Sequence, residues 1–405
     1  MNLSNNNSNM LTGGSGAPAG DVALGARTLV DILAETTLRF GDRIALDAEG
    51  RTLTYGELAQ RVEDLAARLW ATGIGAGDRV GVHISSGTAD LYVGILGVLS
   101  SGAAYVPVDV DDPPARAEAI WAGADVCAIV GDGLRITQRH APVGDSRPLR
   151  PDDDAWVIFT SGSTAVPKAV AVTHASAAAF VDAETQLWTV HETDRVLAGL
   201  SVGFDASCEE MWLAWRSGAA LVPAPRSVVR SAADLGPWLA SHHITVVSTV
   251  PTLASMWDDH VVDGVRLLIL GGEALPTDLA WRLSERVEVW NTYGPTEATV
   301  VTTAARMSPG VPVLIGQPLE GWEVAVLDEH DQPVAAGEPG ELMIAGVGLG
   351  RYLDPELDRQ RYAPHRACGW ERTYRTGDIV REWPDGYAFV GRRDDRGCPV
   401  RRRTS

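Results

Sequence analysis

The chain has 405 residues and a formal net charge of −19, from 53 acidic against 34 basic residues, with 45% hydrophobic content. That acidity disfavours an electrostatic grip on nucleic acid, and the length is enough for two or three domains with substantial buried cores. The longest apolar stretch, residues 91–99, falls far short of the roughly 20 residues that span a bilayer, so no membrane segment is expected.

Residues 1–22, rich in Asn, Ser, Gly and Ala, lack the basic start and apolar centre of a secretory leader and read as a disordered arm. Short apolar runs with strand character follow at 80–84, 105–108, 127–130, 156–160, 219–222, 246–250 and 266–270. Helical patterns at 88–100, 176–189 and 235–241 lie between them. Such alternation implies parallel sheets covered by helices. From about residue 311 the pattern changes to short strands at 323–327, 340–345 and 387–390, separated by Gly, Pro and Asp turns, which suggests a small β-rich unit. Cys127, Cys208, Cys368 and Cys398 are scattered, with no metal-ligand spacing, and read as reduced thiols in a cytoplasmic protein. His242-His243 reads as a solvated helix end.

The stretch 158–170 carries the most chemistry. An apolar strand, 155–159, runs into Thr160-Ser161-Gly162-Ser163-Thr164 and then Pro167-Lys168. Hydroxyls and main-chain N–H groups can donate to phosphate oxygens, a glycine lets the backbone approach closely, and a lysine supplies a point charge. Pro167 stands where a Walker A loop needs its second glycine, so that motif is not matched. On these residues alone, a Ser/Thr-rich turn and a triphosphate loop are equally open.

The pattern T-S-G-S-T-x-x-P-K-x-V resembles the phosphate loop of adenylate-forming enzymes, the superfamily of peptide-synthetase adenylation domains, acyl-CoA ligases and luciferases. Ala165 and Ala169 stand where that family usually has glycine. Further segments resemble its motifs in the expected order. They are Leu53-Thr54-Tyr55-Gly56-Glu57-Leu58, Gly102-Ala103-Ala104-Tyr105-Val106-Pro107-Val108-Asp109, Asn291-Thr292-Tyr293-Gly294-Pro295-Thr296-Glu297, Gly340-Glu341-Leu342, Tyr374-Arg375-Thr376-Gly377-Asp378 and Gly391-Arg392-Arg393-Asp394-Asp395. The resemblance implies the α/β fold of the family's large N-terminal domain: two parallel-sheet α/β subdomains, 23–195 and 196–310, and a small β-barrel subdomain, 311–394, forming an adenylation core over 23–395. Residues 396–405 form a basic tail unlike the family's continuation. The expectation is a truncated or frame-shifted product without the C-terminal subdomain, its catalytic lysine, or the carrier-protein domain that normally follows.

The resemblance also assigns roles. ATP and Mg²⁺ are the expected cofactors. Thr160, Ser161, Gly162, Ser163, Thr164 and Lys168 would hold the β- and γ-phosphates. Asn291 and Tyr293 would face the adenine, with Gly272 and Gly294 close to the nucleotide. Thr296 would touch the α-phosphate, and Glu297 would help hold Mg²⁺. Asp378 would accept the ribose hydroxyls beside Arg392, with Asp394 as a hinge. Lys168, Thr296 and Glu297 would act in catalysis.

Phe204-Asp205-Ala206-Ser207-Cys208-Glu209-Glu210-Met211-Trp212 resembles the family's amino-acid-reading motif, in which an aspartate at the second position pairs with an α-ammonium. The implied pocket wall is Asp205, Ala206, Glu209, Ser248, Ile269, Gly271, Thr292, Val300 and Val301. Glu209 is the charged exception on a wall of small and apolar residues, apart from the ammonium-binding Asp205. A buried lone carboxylate calls for a cation, and lysine fits, with ornithine or 2,4-diaminobutyrate for a shallower pocket. Residues 198–215 with 248–253 resemble the adenylation domain of poly-lysine-type synthetases. The reading is activation of a basic L-amino acid as aminoacyl-AMP with release of pyrophosphate. A binding-only remnant, or an acyl-CoA or aryl-acid ligase, are the rival readings.

Overall fold

The computed structural model describes residues 27–48, 50–160 and 167–393. The N-terminal arm over 1–22, Asp394 and the basic tail lie outside these residues. Three sheets organise the chain.

The first sheet has seven strands. Its centre, Arg79–His83, is flanked in parallel by Ala104–Pro107 and Ala128–Gly131, and Ala104–Pro107 pairs in parallel with Asp154–Thr160. Lys168–Thr173 returns antiparallel to Asp154–Thr160. The second sheet has nine strands. Arg195–Ala198, Ala220–Pro223, Val246–Thr249, Leu267–Leu270 and Glu288–Tyr293 run parallel at its centre. The third is an antiparallel five-stranded sheet built on the long strand Trp370–Trp383.

The α/β architecture expected from the alternating pattern is therefore present. The sheets nevertheless interleave along the chain. Strands Ile44–Ala48 and Arg51–Thr54 join the nine-stranded sheet, and Arg351–Tyr352 joins the seven-stranded one. Contiguous boundaries at 195 and 310 thus cut across hydrogen-bonded sheets, because edge strands come from remote segments that periodicity cannot assign.

Helices between the first two sheets are buried nearly all round. In Ala89–Ser101 eleven residues are buried, and in Ala206–Ser217 nine. Several motif residues turn out to serve the frame. Thr54 and Glu57 form a capping box on helix Tyr55–Trp70, each satisfying the other's backbone N–H. The Tyr55 hydroxyl donates to the Ala219 carbonyl at 2.7 Å, tying that helix to the second sheet. Gly102 ends helix Ala89–Ser101 at φ +92°, a left-handed cap suited to glycine.

Candidate active site

Two cavities open at the carboxyl ends of the parallel strands of the nine-stranded sheet, where open α/β sheets commonly place ligands. Gly272, Thr292, Gly294 and Pro295 line both, so the cavities adjoin along one wall.

The first, about 400 Å³, is built around the start of helix Ala206–Ser217. Asp205 and Glu209 are four residues apart and so share a helix face, and both line the cavity with Ala206. Ser248 comes from a strand end, Gly271 from the turn after strand Leu267–Leu270, and Val300 and Val301 from the opposite wall. A Cβ at Gly271 would lie 2.3 Å from Thr292 Oγ1, so only glycine fits against that hydroxyl. Thr299 and Val300 both sit at φ +61°, a costly conformation for β-branched residues. The Thr299 hydroxyl donates to the Gly348 carbonyl at 2.6 Å, which helps fix the strained turn.

The Asp205 and Glu209 side chains in this cavity are buried. Asp205 Oδ2 and Glu209 Oε1 have no hydrogen-bond partner among the described residues. Burial pushes the Asp205 carboxyl up to about 6, against a hydrogen bond from the Thr296 hydroxyl, with Glu297 repelling. Burial pushes Glu209 up to about 8, partly offset by the Ser248 hydroxyl, with Asp205 repelling. A cation entering beside these two carboxylates would relieve both.

Thr160, Thr296 and Glu297 line the same cavity near its mouth. Glu297 Oε1 accepts from the Tyr352 hydroxyl, and its carbonyl accepts from the Tyr362 hydroxyl at 2.8 Å. Among the described residues no group of three or more His, Cys, Asp or Glu could cage a metal. A single hard oxygen donor suits Mg²⁺, which keeps waters and shares ligands with substrate phosphates; Glu297 fits that mode.

The second cavity, about 450 Å³, is lined by Asn291, Tyr293, Asp378, Phe389 and Arg392 among others. Tyr293 donates its hydroxyl to Asp378 Oδ2 at 2.6 Å, and Arg392 Nη1 donates to Oδ1 at 2.7 Å. Burial raises the Asp378 carboxyl, while Tyr293 and Arg392 pull it back. Asn291 spends its side-chain amide on the Leu314 carbonyl at 2.7 Å.

The structure thus gathers Thr160, Asp205, Ala206, Glu209, Ser248, Gly271, Thr292, Thr296, Glu297, Val300 and Val301 around one cavity. Asn291, Tyr293, Asp378 and Arg392 line the other, and Gly272 and Gly294 both. Two expected site residues line neither cavity. Ile269 is fully buried in the core. Lys168 opens strand Lys168–Thr173, across the hairpin from Thr160, and lines neither cavity. Ser161, Gly162, Ser163 and Thr164 lie outside the described residues. Sequence reasoning gave no role to Phe204 or Phe389. Phe204 lines the first cavity, its ring edge 3.0 Å from where a Cβ on Gly272 would sit. Its place directly before Asp205 was the available signal.

The profile of the AMP-binding enzyme family matches residues 33–352. Phosphinothricin tripeptide synthetase PhsC of Streptomyces viridochromogenes is 36% identical over 405 aligned residues, covering 93% of this chain and 37% of that protein. Delta-poly-L-ornithine synthetase of Acinetobacter baumannii is 33% identical, covering 91% and 29%. The chain therefore spans about a third of the length of these relatives. Among solved structures, AB3403, a four-domain nonribosomal peptide synthetase bound to AMP and glycine, superposes with a TM-score of 0.81 at 32% identity, covering 92% of this chain and 29% of that one.

Proposed function

From the premise that this chain belongs to the AMP-binding enzymes, we propose that it activates a basic L-amino acid, lysine above all, as aminoacyl-AMP with release of pyrophosphate. The observation that carries this reading is the pair of buried carboxyl groups, Asp205 and Glu209, that line one cavity and each keep one oxygen without a partner among the described residues. Four residues apart on a helix, they are spaced to take the two cations of one diamino acid, α-ammonium at Asp205 and side chain at Glu209. An acyl-CoA or aryl-acid ligase would bury Asp205 without use. The likeness to a synthetase named for poly-ornithine supports a basic substrate, and the likeness to one bound to AMP and glycine supports amino-acid adenylation.

ATP would occupy the second cavity, with the ribose at Asp378 and the ring against Tyr293, and its α-phosphate would reach past the shared wall to Thr296. Mg²⁺, where bound, would neutralise phosphate charge beside Glu297. Bringing a carboxylate to an α-phosphate sets two anions against each other, so positioning and charge neutralisation do most of the work. The adjoining walls bring the amino-acid carboxylate and α-phosphate together at Thr296 and Gly294. A carrier-protein domain, as in synthetases of this type, would be the acceptor of the activated acid. ATP–pyrophosphate exchange across a panel of amino acids tests the proposal. Exchange led by lysine, ornithine or 2,4-diaminobutyrate is expected, and exchange led by a neutral amino acid would overturn it.

A further inference from the structure

Strand Ala104–Pro107 of the seven-stranded sheet runs on into Val108-Asp109, the end of a motif that neither cavity uses. Asp109 is buried. Its Oδ2 accepts from the Ser201 hydroxyl at 2.6 Å and meets Arg226 Nη2 at 3.1 Å. Its Oδ1 accepts the Asp111 backbone N–H at 3.1 Å. Ser201 follows strand Arg195–Ala198, and Arg226 opens the short helix after Ala220–Pro223. Those two are neighbouring parallel strands of the nine-stranded sheet. One carboxylate therefore ties together three strand ends from two sheets. The segment 199–204 receives the tie. Glu210 holds its start by accepting the Gly199 and Leu200 N–H groups, and Asp109 holds its middle through Ser201. Ser201 Oγ accepts in turn from the Gly203 N–H at 3.4 Å. Leu200, Gly203 and Phe204 of this segment line the first cavity, and the cavity residue Asp205 follows directly.

We propose that Asp109 is a positioning residue for the amino-acid cavity, latching the segment 199–204 across the two sheets so that Phe204 and Asp205 are in place when the substrate enters. The inference rests on the preceding section's reading that the first cavity takes the amino acid. Apolar packing does little to hold this segment: Val202 is its one buried apolar side chain, and Phe204 is partly exposed. Hydrogen bonds must hold it instead, and one to a charged acceptor is stronger than a neutral one. Arg226 offsets the cost of burying the Asp109 carboxylate. Phe204 is where the latch reaches the chemistry. Its ring edge lies 3.0 Å from where a Cβ on Gly272 would sit, and Gly272 lines both cavities. The segment thus sets one side of the wall between amino acid and nucleotide. Without the latch it would sample positions that do not bind, and the apparent affinity would fall by the fraction of time spent in the competent one.

The test measures pyrophosphate exchange and urea unfolding for Asp109→Ala, Ser201→Ala, Ser201→Thr and the Asp109→Ala/Ser201→Ala double variant, with the amino acid that the unmodified chain exchanges fastest. Asp109→Ala should raise the KM for the amino acid about tenfold or more, the scale of one hydrogen bond to a charged group, and leave the KM for ATP within about twofold. Ser201→Ala should raise the amino-acid KM about threefold or more. Ser201→Thr keeps the hydroxyl and should stay within about twofold of the unmodified chain. Because the two residues share one bond, the double variant should lie within about twofold of Asp109→Ala alone. An unchanged amino-acid KM in Asp109→Ala with an earlier urea midpoint, the mark of a merely structural role, would overturn the proposal. So would an equal rise in both KM values, or effects that multiply in the double variant. Should Asp109→Ala fail to fold, Ser201→Ala decides, and an unchanged amino-acid KM there refutes the latch. The cavity reading fails separately, through an Asp205→Asn variant that binds the amino acid normally.

Discussion

Asp205→Asn keeps the shape of the side chain and removes its charge, and the structure predicts two effects of opposite sign. In the empty site the carboxyl rises from 3.8 to about 6, chiefly by burial. The folded state therefore prefers the protonated form. Its stability contribution is full below pH 3.8 and is lost as pH rises through about 6. A shift of about two units corresponds to roughly 3 kcal/mol at neutral pH, an upper figure for what the ionised group costs the empty chain. Asn should thus raise stability at pH 7, with the gain vanishing toward pH 4. The amino acid should bind more weakly by about 2–5 kcal/mol, because its α-ammonium would enter a buried cavity without a counter-charge. The same titration predicts that amino-acid affinity of the unmodified chain falls as pH drops below about 6. Urea unfolding at several pH values, beside half-saturation in pyrophosphate exchange, measures both. A variant that binds the amino acid normally, or is less stable at neutral pH, would refute the assignment of Asp205.

Other residues give equally direct expectations. Glu209→Gln should reduce discrimination of lysine over norleucine by roughly 2–3 kcal/mol, read as the ratio of their exchange efficiencies. Asp378→Ala, which strips both Tyr293 and Arg392 of their acceptor, should raise the KM for ATP and leave the order of preferred amino acids intact. Gly271→Ala puts a methyl group 2.3 Å from Thr292 Oγ1 and should lower stability by about 1–3 kcal/mol, seen as an earlier urea midpoint with amino-acid binding weakened as well.

Much of the site was legible because its chemistry is local. Asp205 and Glu209 stand on one helix turn, and Asn291 through Glu297 form one continuous wall, so short motifs carried both. Ile269 pairs with Ser248 and so faces the same side of the sheet, but it packs in the core and not on the cavity lining, a difference of depth that a motif position does not give. The burial of Glu184 could not be foreseen. In the sequence it is one more acidic residue near the end of a helix, where a solvated face is the ordinary reading. Only the packing of His174–Leu187 between two sheets turns that end inward. Nor could the pairing of Ile44–Ala48 with Ala220–Pro223 be foreseen, since a parallel partner so remote leaves no local trace.

The cavity departs from the rules that hold the rest of the fold together, and its departures share one direction. Elsewhere a buried carboxylate such as Glu341 meets arginines and a backbone N–H group. Around the first cavity, Asp205 and Glu209 each keep one oxygen without a donor among the described residues, and Thr299 and Val300 hold a left-handed backbone that β-branched residues avoid. Each feature costs the empty chain stability, and none is needed to close the sheets. The strain fixes the wall formed by Val300 and Val301, and the missing donors leave acceptors free for cations. A ligand that brings two positive charges would satisfy acceptors that water and protein do not. The free energy withheld from folding at this one place is thereby available to binding, and it favours a diamino acid over a neutral isostere of the same length.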